Sequence, residues 1–289
     1  MTFFSSLLTT NKFYPLICKH SFSLYHKIIL RMVYETTNAN GVIISEKNLK
    51  NIKLTSLEED SFEEDTKKVW RNVDAVCFDV DSTVCQDEAI DEFAKYLGCG
   101  DEVANCTKNA MCGSMTFREA LKLRLDIMKP SQEQFLRYIE NYKPLLTKDI
   151  INLIKALQIK GTTVYLVSGG FRKIIIPVAK QLGINEMNIY ANEIIFDDKG
   201  NYIGFDKNEY TSDSGNDNVG KAGVCKMLKK KYGYKNLVMI GDGATDAEAC
   251  PPADAFIGFG GNVIREPVVK LANWYVYDFK TLIDELKKK

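Results

Sequence analysis

Two aspartates stand two positions apart at the end of a short apolar segment. The run Asp74–Val80 contains Asp79, and Asp81, Ser82 and Thr83 follow it directly. At the end of a strand, paired carboxylates beside hydroxyls and free backbone N–H groups can hold a cation and an anion together. An Asp-x-Asp pair alone is common, however, and its simpler interpretation is a turn in which an aspartate caps the next helix.

A second acidic motif favours an ion-binding site over a simple capping turn. The sequence Gly241-Asp-Gly-Ala-Thr-Asp246 ends another apolar run, and helix capping accounts poorly for two more carboxylates. If the two strands are neighbours in one sheet, four side chains converge at one edge, namely Asp79, Asp81, Asp242 and Asp246. Crowded carboxylates without histidine favour a hard cation, and ligation by oxygen alone favours Mg²⁺ over Zn²⁺. The sequence therefore predicts a magnesium site.

Two other groups have the chemistry to hold a phosphoryl oxygen. Ser168-Gly169-Gly170 ends an apolar run and offers a hydroxyl and N–H groups, although an ordinary turn before a helix has the same pattern. Lys221 stands at the start of a predicted helix, where its charge is unfavourable to the helix dipole and indicates an anionic partner. A solvent-exposed lysine is the alternative.

The residues before Lys221 also fit a phosphate-binding pattern of another class. Gly215–Ala222 matches G-x-x-x-x-G-K, but Ala222 stands where a P-loop needs Ser or Thr for magnesium. Because no apolar strand precedes the segment, we reject the P-loop interpretation.

Composition excludes several classes of protein. The 289 residues contain 38 Lys+Arg and 38 Asp+Glu, so no basic excess is available to neutralise nucleic-acid phosphates. We therefore expect no nucleic-acid partner. The apolar stretches of the N-terminal segment are far shorter than the roughly 20 residues that cross a bilayer, so we expect no membrane partner. The eight cysteines form no C-x-x-C pair, and we expect free thiols in a reducing compartment.

Histidine chemistry is confined to one end of the chain. His20 and His26 are the two histidines of the sequence, and both lie in the N-terminal segment. If that segment is not part of the fold, no imidazole is available for a Ser-His-Asp triad or a histidine-ligated metal. Acid–base chemistry then falls to carboxylates, hydroxyls, lysine and backbone groups.

Four apolar runs without polar alternation predict buried parallel strands. They alternate with glycine-rich turns and helical patterns, so we predict an α/β fold with a doubly wound parallel sheet, whose pockets lie beyond the carboxyl ends of the strands. The runs are Asp74–Val80, Thr163–Val167, Leu237–Ile240 and Ala255–Ile257.

Two intervals depart from this alternation. The interval Gln86–Asp149 is too long for one crossover helix and rich in helix formers, which predicts an inserted helical cap, while Ile189–Phe205 has the pattern of a β-hairpin. We accordingly predict a catalytic core over 56–85 and 150–289, a cap over 86–149, and a disordered or targeting leader and linker over 1–55.

The N-terminal leader bears on the cellular compartment of the protein. Residues 1–34 carry four basic and no acidic residues, as targeting peptides do, yet a disordered or mispredicted leader explains them equally well. We expect a cytoplasmic protein, with import as the alternative. The sequence does not decide between a monomer and a homodimer.

Four motifs in this order resemble the haloacid dehalogenase superfamily of phosphotransferases. They are Asp79-Val-Asp-Ser-Thr, Ser168-Gly-Gly, Lys221 and Gly241-Asp-Gly-Ala-Thr-Asp, and the resemblance covers about 70–286. The run Gly241–Arg265 is the most specific part. Together with Asp79–Val84 and Ser168–Arg172, it resembles animal-type members that hydrolyse O-phospho-L-serine in the last step of serine biosynthesis.

The resemblance implies a role for each catalytic residue. Asp79 would be the nucleophile that forms an aspartyl-phosphate, and Asp81 the acid that protonates the leaving oxygen and then the base for water. Ser168 and Lys221 would hold the transferring oxygens. Mg²⁺ would be held by Asp79, Asp81 through its main-chain carbonyl, Asp242 and Asp246.

The resemblance also implies how a small-molecule substrate, phosphoserine, would be chosen. Glu88 would meet its amino group, Arg124 its carboxylate and Met111 its apolar side, although a helix-face Glu and an Arg in an i, i+4 pair are ordinary alternatives. Further pocket residues would be Ser168, Gly169, Gly170, Thr245 and Arg265.

The chain departs from the family pattern at two places. Cys112 stands where a glycine usually follows the cap methionine, and the loop before Lys221 is about three residues longer at 216–218. Both bear on pocket geometry rather than on reaction type.

Two alternative functions stay open: a phosphatase or phosphotransferase for another small phosphate ester, and a catalytically silent phosphate-binding module.

Overall fold

The computed structural model of the protein describes residues 61–112 and 115–288. In the helix that ends at Cys112, the description includes side chains only up to residue 106. The predicted leader and linker over 1–55 lie outside the described residues. So do the side chains of Met111 and Cys112.

Six parallel strands form the main sheet, in the order β3-β2-β1-β6-β7-β8. A second sheet is the antiparallel pair of β4 and β5. The predicted fold class is confirmed. The strands are β1 Ala75–Phe78, β2 Thr163–Phe171, β3 Ile189–Asn192, β4 Ile194–Phe196, β5 Tyr202–Phe205, β6 Leu237–Gly241, β7 Ala255–Phe259 and β8 Trp274–Val276.

Helices cover both faces of the main sheet. The first described helix, α1, extends over 61–71. It is followed by α2 Ala89–Leu97, α3 Gly100–Cys112, α4 Phe117–Met128, α5 Gln132–Asn141, α6 Ile150–Ile159, α7 Arg172–Leu182, α8 Gly220–Tyr232, α9 Ala244–Ala247, α10 Glu266–Leu271 and α11 Phe279–Leu286.

The alternation of side chains along β1 explains why its sequence has no polar position. Val76 and Phe78 pack with α1, α6, α7 and α11 on one face of the sheet. Ala75 and Cys77 pack with α8 and α10 on the other. Because successive residues of a strand point to opposite faces and both faces are covered by helices, every residue of β1 is apolar and has no exposed surface.

A third apolar cluster joins the helices between β1 and β2. It contains Phe93 of α2, Leu125 of α4 and Phe135 of α5, together with Phe205 of the small hairpin. The hairpin is shorter than the sequence pattern predicts. Ile189–Asn192 pairs in parallel with β2, so the predicted span 189–205 was wrong at its start and the antiparallel pair begins at Ile194.

Local sequence fixes where α4 begins, which matters for the site. Thr116 accepts the Glu119 N–H, and the Glu119 carboxylate accepts the Thr116 N–H, so the two residues form a capping box. The helix ends at Met128, and the next residue, Lys129, has a φ of +36°, in the left-handed region. Of the helices in the described ranges, none is long and apolar enough to cross a membrane.

Candidate active site

The site is built where β1 and β6 end side by side. Phe78 and Ile240 are partners in the parallel register, and the Asp79 N–H donates to the Ile240 carbonyl over 2.9 Å. Asp79 and Asp242 therefore leave the sheet at the same edge. The Asp79 carboxylate accepts the N–H of Val80 over 2.7 Å, and this bond begins the distorted helical turn Val80–Val84.

A buried lysine lies between two of the aspartates. Lys221, the second residue of α8, places Nζ 2.7 Å from Asp79 Oδ1 and 2.6 Å from Asp246 Oδ1. Burial alone lowers the pKa of a lysine, but the charges of Asp246 and Asp79 outweigh it and raise the pKa of Lys221. The ammonium is therefore charged and can attract an anionic group.

Three carboxylates form a cluster that fits a divalent cation. One oxygen each from Asp79, Asp242 and Asp246 lies within 4.8 Å of the others, and all three residues are buried. Burial and the neighbouring charge of Asp79 raise the pKa values of Asp242 and Asp246. Mutual repulsion among buried, oxygen-only donors is what a hard cation relieves, so the donor set fits Mg²⁺.

Asp81 lies on the other side of the same turn. Its Oδ1 accepts the Ala89 N–H over 2.9 Å, and its Oδ2 is 3.4 Å from the Ser168 hydroxyl. Burial and the charges of Glu88 and Asp79 raise the pKa of Asp81 well above its ordinary value. A carboxyl group in this environment keeps its proton to a higher pH than an exposed aspartate and can donate it.

Two glycines bring the backbone of β2 to the same edge. The Gly170 N–H donates to the Ser168 hydroxyl over 2.9 Å. A Cβ on Gly170 would lie 3.1 Å from Asp81 Oδ2, and a Cβ on Gly169 would lie 2.6 Å from the Phe117 ring of α4. Gly169 therefore permits α4 to approach the strand end, and Gly170 leaves room for the Asp81 carboxylate.

Arg265 joins two acidic residues of the site. Its Nε lies 2.7 Å from Asp242 Oδ2, and its Nη2 lies 3.0 Å from Glu88 Oε1. Glu88, which immediately precedes α2, also accepts the Ser82 hydroxyl proton over 2.9 Å. A helix-face Glu was the alternative to the predicted substrate-binding role, and the structure places Glu88 at the N-terminal boundary of α2, with Arg265 as its ion-pair partner.

Arg124 is the remaining charged candidate, and it lies on α4. Its Nε donates to the Ala120 carbonyl over 3.3 Å, within the same helix. Burial lowers the pKa of Arg124, and the charges of Asp91 and Glu88 oppose that shift. Among residues 61–106 and 115–288, Arg124 forms no ion pair with a carboxylate, so its guanidinium can accept an anion. Thr245, in the turn that carries Asp246, is half-buried.

Sequence reasoning missed several polar residues that hold the site together. Asn262 donates from Nδ2 to the Ser82 carbonyl over 3.0 Å and to the Thr147 hydroxyl over 2.7 Å, which joins the loop after β7 to the turn after Asp79. Thr83 donates to Asp242 Oδ1 over 3.2 Å. A polar residue directly after the Gly260-Gly261 pair was the available signal.

The fold and the arrangement of these motifs define a class of enzyme. Residues 73–254 match the family model for haloacid dehalogenase-like hydrolases. The chain is 50% identical to human phosphoserine phosphatase over 222 residues, which cover 77% of this chain and 97% of the human protein. It is 48% identical over 220 residues to the protein named phosphoserine phosphatase, chloroplastic, of Arabidopsis thaliana, covering 75% and 73% of the two chains.

A solved structure agrees with these relatives. The structure described as a phospho-aspartyl intermediate analogue of phosphoserine phosphatase superposes with a TM-score of 0.60 at 26% identity, covering 74% of this chain and 99% of that one. The chain belongs to the phosphoserine phosphatase family of the haloacid dehalogenase-like hydrolases.

Proposed function

We propose that the protein hydrolyses O-phospho-L-serine to L-serine and phosphate, with Mg²⁺, through an aspartyl-phosphate on Asp79. The observation that carries the proposal is the position of Lys221 Nζ, within 2.7 Å of both Asp79 and Asp246, beside the third carboxylate of Asp242. The fixed positive charge of Lys221 beside Asp79 attracts the negative oxygens of a phosphoryl group, and a bound cation would offset the remaining negative charge of the three carboxylates.

In the first step, a carboxylate oxygen of Asp79 forms a bond to phosphorus while the bond from phosphorus to the serine oxygen breaks. Asp81 gives its proton to that oxygen, so L-serine leaves neutral at its hydroxyl. In the second step, Asp81 takes a proton from water, the water oxygen bonds to phosphorus, and the Asp79 carboxylate is regenerated. The elevated pKa of Asp81 supports its role as the proton donor.

The metal-binding residues are the carboxylates of Asp79, Asp242 and Asp246, with the main-chain carbonyl of Asp81. A bound Mg²⁺ would neutralise charge between the nucleophile and the phosphate, which otherwise repel each other. Lys221 and the Ser168 hydroxyl orient the transferring oxygens, and the Gly170 N–H in turn holds the Ser168 hydroxyl.

Recognition of the amino acid is assigned to the cap over 86–149 and its neighbours. Glu88 would bind the ammonium group and Arg124 the carboxylate, while Met111 would contact the apolar side of the substrate. Thr245 and Arg265 would line the remaining surface. An acidic and a basic group that face one zwitterion reject phosphate esters that lack either charge.

The second candidate is hydrolysis of another small phosphate ester by the same core. The pairing of Glu88 with Arg265 favours it, because the carboxylate meant for the substrate ammonium already has a partner. Phosphate release from phosphoserine, phosphothreonine, phosphoethanolamine and a chromogenic phosphate distinguishes the two candidates. Equal rates for esters with and without the amino and carboxyl groups would contradict the phosphoserine assignment.

The Asp79→Asn variant tests whether the chain is an enzyme or a phosphate-binding module. We expect Mg²⁺-dependent phosphate release to vanish while the circular dichroism spectrum and melting temperature stay close to wild type. The Asp81→Asn variant should instead accumulate phosphorylated protein, detectable as an added phosphate mass after acid quench. Turnover near wild type in Asp81→Asn would reject the acid–base role.

We further propose that this reaction completes serine biosynthesis, since its product is free L-serine. The test is complementation of a serine auxotroph that lacks this step. The wild-type chain should restore growth, and Asp79→Asn should not.

The cellular compartment is a separate proposal. We propose a cytoplasmic protein with import as the alternative, and mass spectrometry of the native N-terminus decides whether residues 1–34 are retained.

A further inference from the structure

An arginine on α4 crosses from the cap to the segment that precedes α8. Arg118 Nε lies 3.3 Å from the Ser212 carbonyl and 3.3 Å from Asp213 Oδ2. Its Nη2 lies 3.1 Å from the Ser212 hydroxyl and 3.4 Å from the Lys207 carbonyl. Ser212 is fully buried and Arg118 is half-buried, so one guanidinium holds the segment 207–213 by several polar contacts at once.

The segment 207–213 also packs on the first turn of α8. Gly220 has a φ of +65°, and a Cβ there would lie 2.9 Å from the Asp213 carbonyl. A Cβ on Gly223 would lie 2.8 Å from the Tyr210 ring. Lys221 stands between these two contacts. The backbone that Arg118 contacts is therefore in van der Waals contact with the turn that carries the active-site lysine.

A buried asparagine ties the same segment to β2. Asn192 Nδ2 donates to the Gly169 carbonyl over 2.8 Å and to the Thr211 carbonyl over 3.3 Å. The Thr211 hydroxyl returns a hydrogen bond to Asn192 Oδ1 over 3.0 Å. Asn192 has no exposed surface, and its amide is bonded through both its donor and its acceptor. The segment is thus a fixed part of the core, to which α4 can be anchored.

Arg118 and the substrate-binding candidate Arg124 lie on one helix. Phe117, next to Arg118, is seven residues before Arg124, so Phe117 and Arg124 share a face of α4 two turns apart. The Phe117 ring contacts Gly169 at the phosphate end of the site. Any rotation or slip of α4 would therefore move Arg124 relative to the phosphate-binding groups.

We propose that Arg118 is a positioning residue. It anchors α4 to the segment 207–213 and so sets the distance between the Arg124 guanidinium and the groups that hold the phosphate. The inference rests on the proposed role of Arg124 in binding the substrate carboxylate. Arg118 contacts no reacting atom, and without it Asn192 still ties the segment 207–213 to β2. The loss of Arg118 therefore misplaces one substrate-binding group and leaves the catalytic aspartates and Lys221 where they are.

The kinetic test compares esters that do and do not carry a carboxylate. In Arg118→Ala we expect the KM for phosphoserine to rise about tenfold with kcat within about twofold of wild type, and the KM for phosphoethanolamine to stay unchanged. Arg118→Lys keeps the charge but loses the fork of donors, so its KM for phosphoserine should lie between those of Arg118→Ala and wild type. An equal rise of KM for both esters, or an unchanged KM for phosphoserine, overturns the proposal.

The matched control is Arg137→Ala. Arg137 is an exposed cap arginine whose ion pair with Glu133, at 2.6 Å, stays within α5. We expect its kinetic constants to match those of wild type. A loss in Arg137→Ala equal to that in Arg118→Ala would assign the effect to cap charge rather than to the anchor.

Hydrogen exchange tests the anchor without reference to substrate. In Arg118→Ala, amides of α4 should exchange faster than in wild type, whereas Arg137→Ala should leave α4 unchanged. Unchanged exchange in α4 of Arg118→Ala overturns the proposal. If wild-type protein shows no preference for phosphoserine, the proposed function fails, and the exchange experiment still decides whether Arg118 anchors α4.

Discussion

Gly241 and Asp246 are packed so closely that a side chain at the first would occupy the space of the second. A Cβ built on Gly241 would lie 2.2 Å from the carboxyl carbon of Asp246. Asp246 is completely buried and is held from two sides, by Lys221 Nζ at 2.6 Å and by the Gly243 N–H at 2.9 Å. The end of β6 therefore has to be glycine for this carboxylate to reach the cluster.

We predict that Gly241→Ala displaces Asp246 and with it Lys221. Phosphate release should fall at least about 100-fold, because small misplacements of catalytic groups have effects of that size. The free energy of unfolding should fall by about 1–3 kcal/mol, as expected for an overpacked core. Steady-state kinetics and thermal denaturation measure the two effects.

Gly98→Ala is the matched control for Gly241→Ala. Gly98 has a φ of +80° at the end of α2, and a Cβ there would meet no atom within 4 Å. That variant should lose about 1–2 kcal/mol through backbone strain and keep its kcat. A Gly241→Ala protein with normal kcat would contradict the steric argument.

Lys221→Met removes the charge and keeps an unbranched side chain. Asp79 and Asp246 would then be buried without their cation, which costs about 3–5 kcal/mol of stability. We expect kcat to fall by about 10²–10³, the usual cost of losing one fixed group that stabilises transition-state charge. A kcat within tenfold of wild type in a folded variant would reject the role of Lys221.

The strands around the site were predictable because they are almost entirely buried. The central runs at β1, β2, β6 and β7 are continuous apolar segments followed by aspartate, serine or glycine, and parallel pairing then places their ends at one edge. The edge strands were not predictable in the same way. Trp274–Val276 has three residues and was not assigned, and Ile189–Asn192 was assigned to the hairpin, because short edge strands carry too little pattern.

The sequence did not predict which side chains pair with one another within the site. A helix-start lysine indicated an anion, but not that its partners are Asp79 and Asp246. The ion pairs of Arg265 with Glu88 and Asp242 join three segments whose relative placement depends on the whole fold. Periodicity and spacing report which face a residue occupies, and long-range pairing requires the packed structure.

Removal of divalent metal should abolish phosphate release, and Mg²⁺ should restore it. Because the carboxylates of Asp79, Asp242 and Asp246 repel one another, bound Mg²⁺ should also stabilise the folded protein and raise its melting temperature. At a free Mg²⁺ concentration of 100 times its Kd, the free energy of unfolding should increase by about 2.7 kcal/mol. Asp242→Asn should lose most of this shift. Asp217→Asn is the control, since Asp217 is exposed and paired with Lys226, and an equal loss there would contradict the assigned site.

At Asn262, replacement by alanine should be less damaging than replacement by aspartate. Its Nδ2 group donates to the Ser82 and Cys85 carbonyls, over 3.0 Å and 3.2 Å, and so holds the turn that carries Asp81. Asn262→Ala leaves those carbonyls without this donor, at a cost of about 1–3 kcal/mol. Asn262→Asp adds a negative oxygen against them and should reduce both melting temperature and kcat further. A milder effect for Asn262→Asp than for Asn262→Ala would contradict this geometry.

Arg124 provides the sharpest test of substrate choice. A guanidinium binds a carboxylate through two parallel hydrogen bonds, and a lysine ammonium provides a single point charge. Arg124→Met should therefore raise the KM for phosphoserine by about 10–100-fold, with Arg124→Lys between Arg124→Met and wild type. Phosphoethanolamine has no carboxylate, so its kinetic constants should change less than about threefold in either variant.

The control for Arg124 lies two residues away on the same helix. Lys122 is an exposed cation of α4 whose partner is Asp126, so Lys122→Met removes one positive charge from the cap without touching the pocket. Its KM for phosphoserine should match that of wild type. If Arg124→Met raised the KM for phosphoserine and phosphoethanolamine equally, the arginine would act on the phosphate or on the fold of the cap, and the carboxylate of the substrate would need another partner.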